Sequence, residues 1–268
     1  MTIKIEERIA EYQKERDALG FLDLNMWIGK PLEAHFVTDY PIGELKKHIQ
    51  RYEIKGGIVS HFSCIEYDSA WGNEQLLQAI AGIGLFGAVV LTPEMFYDPI
   101  KGREILKNSI AKGARLARVF PKHENFEFRP WCIKHLLDNL LEFHLPLMIW
   151  QTETTWNDID EVCCAYPDLT VIIEGNPQKI LYHNRRFYPL LENHKNVKLE
   201  MHNVIGYLGV EDLVKHFGAE RLMFGSNLPL WDPNCTMMSV THARVSEEEK
   251  HLMAHGNLEK LINHVKLH

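Results

Sequence analysis

The chain has 268 residues, 46% apolar and 24% charged, with 29 basic residues against 36 acidic ones and a net charge of −7. That length suits one large α/β domain of roughly 250 residues better than two small ones, and the acidic balance without a basic cluster argues against nucleic acid or an anionic membrane as partner. Five scattered cysteines with no C-x-x-C pair point to reduced thiols. With no apolar run near the ~20 residues of a membrane span and no signal-peptide core at the start, a cytoplasmic protein is expected.

Residues 3–19 place Ile5, Ile9, Tyr12 and Leu19 at helical spacing, and Gly20 is the stop. A strand is expected over 21–27, a helix over 40–52 with Pro41 near its start, and a second strand over 57–62. The pattern then repeats: helix 73–83, strand 87–91, helix 101–112, strand 114–120, helix 129–143, strand 146–150, helix 157–165 and strand 170–174. A helix over 185–193 leads to a strand over 197–201. A helix over 210–217, closed by Gly218 as a left-handed cap, leads to a strand over 222–224. Ser246 before three glutamates reads as an N-cap with acids at the positive end of a helix dipole, and a last helix spans 257–265.

Eight short strands alternating with helices predict a (β/α)8 TIM barrel, one domain over 1–268 with 1–20 as an N-terminal helix. An open doubly wound sheet is the competitor, and the missing G-x-G-x-x-G after the first strand removes its commonest nucleotide-binding form. Barrel chemistry sits at the carboxyl ends of the strands.

Four stretches carry a family likeness: F-L-D-L-N-M-W-I-G at 21–29, L-P-L-M-I-W at 145–150, Y-P-D-L-T-V-I-I-E-G at 166–175, and E-R-L-M-F-G-S-N-L-P at 220–229 with A-H-G-N-L-E-K-L-I at 254–262. In order and spacing they resemble the amidohydrolase superfamily, in its amidohydrolase-related branch. The resemblance implies a metal-dependent barrel that hydrolyses amides, esters or lactones, with some decarboxylases and hydratases, and suggests a homodimer. Its divalent metal is held by histidines of strands one, five and six and an aspartate of strand eight. The matching positions here are Asn25, Trp27, Trp150, Glu174 or Gly175, and Asn227. An indole offers no free lone pair and an amide is no base near pH 7, so the family's metal-activated hydroxide is not expected to form on them.

Glu174, Glu200 and His202 remain as ionisable groups near strand ends, with His61, Lys122 and His123. Residues two apart on a strand share a face, so Glu200 and His202 point the same way; if that face is the inner one, Glu200 can orient His202 as a general base. Fifteen histidines put some near strand ends by chance. Lys122 and His123 read as solvated loop residues, and His251 with His255 as a surface pair. Whether His61 or its neighbours Ser60 and Phe62 face the lumen is open. Trp27 and Trp150 read as core filling or as a flat wall for a ligand, with Trp150 the better candidate for ligand contact.

The expected function is a hydrolase-like barrel acting on a small organic molecule without the family's metal. Glu174 and His202 are its catalytic candidates, and Asn25, Trp27, His61, Trp150 and Asn227 its substrate-binding ones. No cofactor is expected; zinc or a similar ion would enter only through a rebuilt set such as His61, Glu174 and His202. The rival is an inactive barrel that binds a ligand or a partner protein.

Overall fold

In the computed structural model, which describes residues 4–31, 39–175, 184–204 and 206–267, the charged start of the chain is helix α1 (Ile5–Leu19). Gly20 ends it at φ 61° and ψ 55°, a left-handed conformation that costs glycine little. Eight strands follow: β1 (Leu22–Ile28), β2 (Gly56–His61), β3 (Phe86–Val90), β4 (Ala114–Val119), β5 (Leu147–Trp150), β6 (Val171–Glu174), β7 (Val197–Glu200) and β8 (Leu222–Met223). They pair in chain order, each parallel to the next. The ring closes where the Leu24 N–H donates to Phe224 O at 3.1 Å and the Trp27 N–H to Leu228 O at 2.8 Å. This is a (β/α)8 TIM barrel, as the alternation predicts.

The outer helices are α2 (Ile42–Arg51), α3 (Ser63–Glu66), α4 (Ser69–Ala79), α5 (Pro99–Ala111), α6 (Pro130–Glu142), α7 (Trp156–Ala165), α8 (Asn184–Asn193) and α9 (Gly209–Phe217), with α10 (Pro233–Thr241), α11 (Glu247–His251) and α12 (Asn257–His264) after the last strand. Two local readings are corrected, and one helix is added. α4 starts at Ser69, four residues before the expected 73, because the Asp68 side chain caps it by accepting from Trp71 N–H. Gly218 has a positive φ of 86° but an extended ψ of 151°, so it is no left-handed cap. α10 was unread, although Asp232 caps it and Pro233 opens it. The Ser246 reading holds: Ser246 and Glu249 form a capping box.

The interior is filled in tiers. Leu24, Ile58, Ala88, Leu116, Met148, Ile172 and Met223 pack together across the lumen, joined from below by Leu258, Leu261 and Ile262 of α12. Above them Trp27, Phe62, Val90 and Phe120 form a second apolar cluster with Trp150 against it. Between Asp23 and Met26 the register of β1 slips against β2: Asp23 faces Gly57 while Met26 faces Val59. This bulge puts one extra residue on β1. Leu24 therefore joins the lower tier, while Asn25 and Trp27 turn into the lumen above it. No helix among the described residues is long and apolar enough to cross a membrane.

Candidate active site

β4 supplies the centre of the site. Leu116, Arg118 and Phe120 alternate along it, so Arg118 enters the lumen where its neighbours Ala117 and Val119 face the helices. The side chain is 1% exposed. Its Nη1 donates to Ser60 Oγ at 2.9 Å and Asn25 Oδ1 at 3.3 Å, and its Nη2 donates to Glu174 Oε2. Asn25 Nδ2 donates to the other Glu174 oxygen at 2.8 Å, and Trp27 Nε1 donates to Asn25 Oδ1 at 3.0 Å. The guanidinium carbon lies 4.5 Å from the Trp27 ring centre, 5.8 Å from Phe120 and 6.0 Å from Trp150, within the range of cation–π attraction. Burial pushes the Arg118 guanidinium down to about 9, and the Glu200 charge pulls it back up. It stays a cation at neutral pH.

β7 and β8 build the second half. Glu200 Oε1 accepts from the His202 N–H at 2.9 Å, and Oε2 bonds His202 Nδ1. With the Nδ1 proton on the Glu200 side, Nε2 is the accepting nitrogen, and Asn203 Nδ2 meets it at 3.0 Å. Gly225 makes room for the carboxylate, since a Cβ there would lie 2.1 Å from Glu200 Oε1. Asp23, fully buried, accepts through Oδ1 from the N–H groups of Asn25 and Ser226 at 2.9 and 3.0 Å. Burial lifts its carboxyl to about 7 against the pull of those bonds. Asn227 is also fully buried, with φ at 56°. Neither its Nδ2 nor its Oδ1 has a hydrogen-bond partner among the described residues, and the same holds for Trp150 Nε1 and Arg118 Nε.

The structure thus brings Asn25, Trp27, Trp150 and Glu174 around one guanidinium, and pairs Glu200 with His202. Asn227 lies buried on the closing segment, next to the Leu228 carbonyl that takes the Trp27 N–H. His61 is the exception. Ser60 and Phe62 take the lumen positions of β2, so His61 points away from it. Its Nδ1 accepts from Ser63 N–H at 3.1 Å, and its ring packs on Gly29, where a Cβ would lie 2.6 Å from Cε1. Lys122 and His123 are exposed. They line an open cleft of ≈ 810 Å³ that Trp150 borders. His255 Nδ1 meets Leu19 O at 2.9 Å, and its ring centre is 5.5 Å from that of His251. Arg118 and Asp23 were not singled out in the sequence, and Ser60 was named only as a neighbour of His61 that could face the lumen. The available signal for Arg118 was a charged residue two positions from Leu116 and Phe120, on the inward-facing alternation of β4.

Ligand atoms of Glu174, Glu200 and His202 lie within 4.8 Å of one another. In this arrangement those atoms are engaged by partners within the protein. Glu174 holds Arg118 and Asn25, both Glu200 oxygens hold His202, and both ring nitrogens of His202 are engaged. A divalent ion would also sit beside a fixed guanidinium, against Coulomb repulsion.

Comparison with known proteins agrees with the fold. No curated protein matches the chain in sequence. Among solved structures it is similar to a Pseudomonas putida protein described as a putative 2-pyrone-4,6-dicarboxylic acid hydrolase, at 16% identity and a TM-score of 0.69, covering 92% of this chain and 98% of that one. It is also similar to the 2,6-dihydroxybenzoate decarboxylase of Rhizobium, at 13% identity, a TM-score of 0.71 and coverage of 91% and 98%. A third is a dihydroxybenzoic acid decarboxylase of Polaromonas with bound manganese, at 14%, 0.72, and 91% and 97%. At such identities these likenesses concern the fold alone. The family model for amidohydrolases, in contrast, matches residues 34–263, and on that match the chain belongs to the amidohydrolase family.

Proposed function

We propose that the chain is an amidohydrolase-related enzyme that works without a divalent metal on a small organic acid, by hydrolysis of an amide, ester or lactone or by related lyase chemistry. The observation that carries this is the Arg118 guanidinium, held in the lumen by Glu174, Ser60 and Asn25. A fixed cation inside a low-dielectric barrel attracts a carboxylate or a developing oxyanion more strongly than it would in water. The fold neighbours are described as acting on pyrone dicarboxylic and dihydroxybenzoic acids, which agrees with an anionic substrate.

Glu174 positions the guanidinium. His202, oriented by Glu200 through Nδ1, takes up and returns the proton at Nε2 once substrate displaces the Asn203 amide that meets it. Asn227 offers both a donor and an acceptor with no partner among the described residues, so it can bind a substrate carbonyl or hydroxyl. Asn25 orients Glu174 and Trp27, while Trp27 and Trp150 form an aromatic wall.

A second reading, a barrel that binds an acid without turning it over, is favoured by Trp27. It is fully buried and stacked on Phe62 at 5.0 Å between ring centres, filling the upper lumen.

The test uses purified protein in excess chelator against a panel of cyclic and aromatic carboxylic acids, their lactones and their esters, followed by calorimetry and by product formation. Wild-type protein is expected to bind and convert one class. The double variant Arg118→Met/Glu174→Gln, which avoids leaving a lone buried charge, is expected to bind it about 10- to 100-fold more weakly. His202→Gln is expected to keep binding and lose turnover. Binding with no turnover, unchanged by His202→Gln, selects the second reading. Activity that requires one equivalent of added metal ends the first.

A further inference from the structure

Outside the barrel mouth a second group of ligating side chains stands on the helical face. Asp160 and Cys164 lie one turn apart on α7, and His194 follows the last residue of α8. Their ligand atoms all lie within 4.8 Å of one another. Asp160 and Cys164 are exposed, while His194 is 8% exposed and its Nε2 already meets Asp160 Oδ1 at 2.6 Å.

We propose that Asp160, Cys164 and His194 form a binding site for a zinc-type divalent cation that clips α7 to α8. A thiolate, an imidazole and a carboxylate are the donors such borderline-soft ions take. In a tetrahedral shell with bonds of about 2.0–2.3 Å, ligand atoms sit roughly 3.4 Å apart. Rotation of the two exposed side chains brings the set to that spacing, and the Asp160–His194 contact opens from 2.6 Å to admit the ion.

His194 is the fixed member. Its N–H donates to Leu190 O at 3.0 Å, continuing the helix by one bond, and its carbonyl accepts from the buried Arg221 Nη2. The imidazole thus starts from an anchored backbone, which lowers the ordering cost of binding. Cys164 is the sulfur ligand. The adjacent Cys163 is buried and its thiol is pushed up to about 12 by burial, so it stays a core side chain. On binding, the Cys164 thiol gives its proton to solvent, the His194 Nε2 proton that faces Asp160 is exchanged through solvent for one on Nδ1 so that Nε2 can ligate, and one thiolate and one carboxylate balance the ion's two charges. Asp160 also lines a cleft of ≈ 480 Å³ with Arg186, Pro189 and Asn193, an open approach from solvent on the Asp160 side of the group.

The site is independent of the lumen, and its sulfur makes it separately visible. Metal-stripped full-length protein is titrated with Co²⁺ in the presence of a phosphine reductant. The expected result is a thiolate-to-cobalt charge-transfer band in the near ultraviolet that saturates at one equivalent, is bleached by Zn²⁺, and is accompanied by a rise in thermal midpoint. Cys164→Ser is expected to abolish the band, Asp160→Asn and His194→Gln to weaken binding at least about tenfold, and Cys235→Ser to leave the band unchanged. The lumen group has no thiol and cannot give this signal. A band that fails to saturate near one equivalent, or that survives Cys164→Ser, overturns the proposal. The barrel-mouth reading stands or falls separately, on the acid panel in chelator.

Discussion

Asp23 is a carboxyl that folding makes harder to ionise. It is fully buried, and desolvation raises it from 3.8 to about 7, with the charge of Glu200 adding to the push. Between those two values the folded state binds the proton and the unfolded state does not, so the group's contribution to stability falls as pH rises across that window and is level above it. A shift of this size corresponds to about 4 kcal/mol as an upper bound. Asp23→Asn removes the titration but keeps the Oδ1 acceptor for the Asn25 and Ser226 N–H groups. Urea denaturation of both proteins at several pH values isolates the effect of Asp23 and of its coupling to Glu200, because groups remote from Asp23 titrate alike in the two. The stability of the variant relative to wild type should climb with pH from about 4 to about 7 and then stay constant. A difference that does not move with pH would mean that Asp23 is ionised as easily inside the barrel as outside it.

At the scale of elements, the site depends on how β1 lies against β2. Gly57 sits at φ 148°, and a Cβ there would fall 2.0 Å from the carbonyl oxygen of Asp23. The obstacle is backbone, so a side chain must push the strands apart next to the bulge that turns Asn25 and Trp27 inward. Gly57→Ala is expected to cost about 3 kcal/mol or more, among the larger single-residue effects. Gly82→Ala is the control. It carries the backbone strain of a positive φ, 72°, with nothing within 4 Å, and should lose only about 1 kcal/mol. Equal losses in the two variants would show that close strand approach at Gly57 matters no more than strain. The eight strands were legible in the sequence because β-branched and apolar runs recur between helical periods, and Gly20 and Ser246 announced their caps. The bulge was not legible, since one extra residue leaves the composition of β1 unchanged and only reverses which side chains face in. For the same reason Asn25 and Trp27 could be named as rim residues while their shared partner Arg118, on a strand three places away in the ring, could not.

Taken as a whole molecule, the barrel is packed from its α12 end up to its mouth, and Trp27 is the largest fully buried side chain in it. Its ring lies between Phe62, Trp150 and the Arg118 guanidinium, and its N–H satisfies Asn25 Oδ1. Protein interiors at this density relax only partly when a large side chain is removed. Trp27→Ala should therefore lose about 3–5 kcal/mol and leave a cavity shaped like an indole, with one polar acceptor at its edge. Added indole refills the shape and restores the donor to Asn25, so it should raise the thermal midpoint of the variant and leave wild type unmoved. Benzothiophene has nearly the same outline and no N–H. It should rescue less, because Asn25 Oδ1 then keeps only the longer contact from Arg118. If both compounds act equally, the Trp27 N–H contributes nothing beyond volume. If neither acts, the upper tiers have collapsed into the gap, and the walls that hold Arg118 in place depend on Trp27 being there.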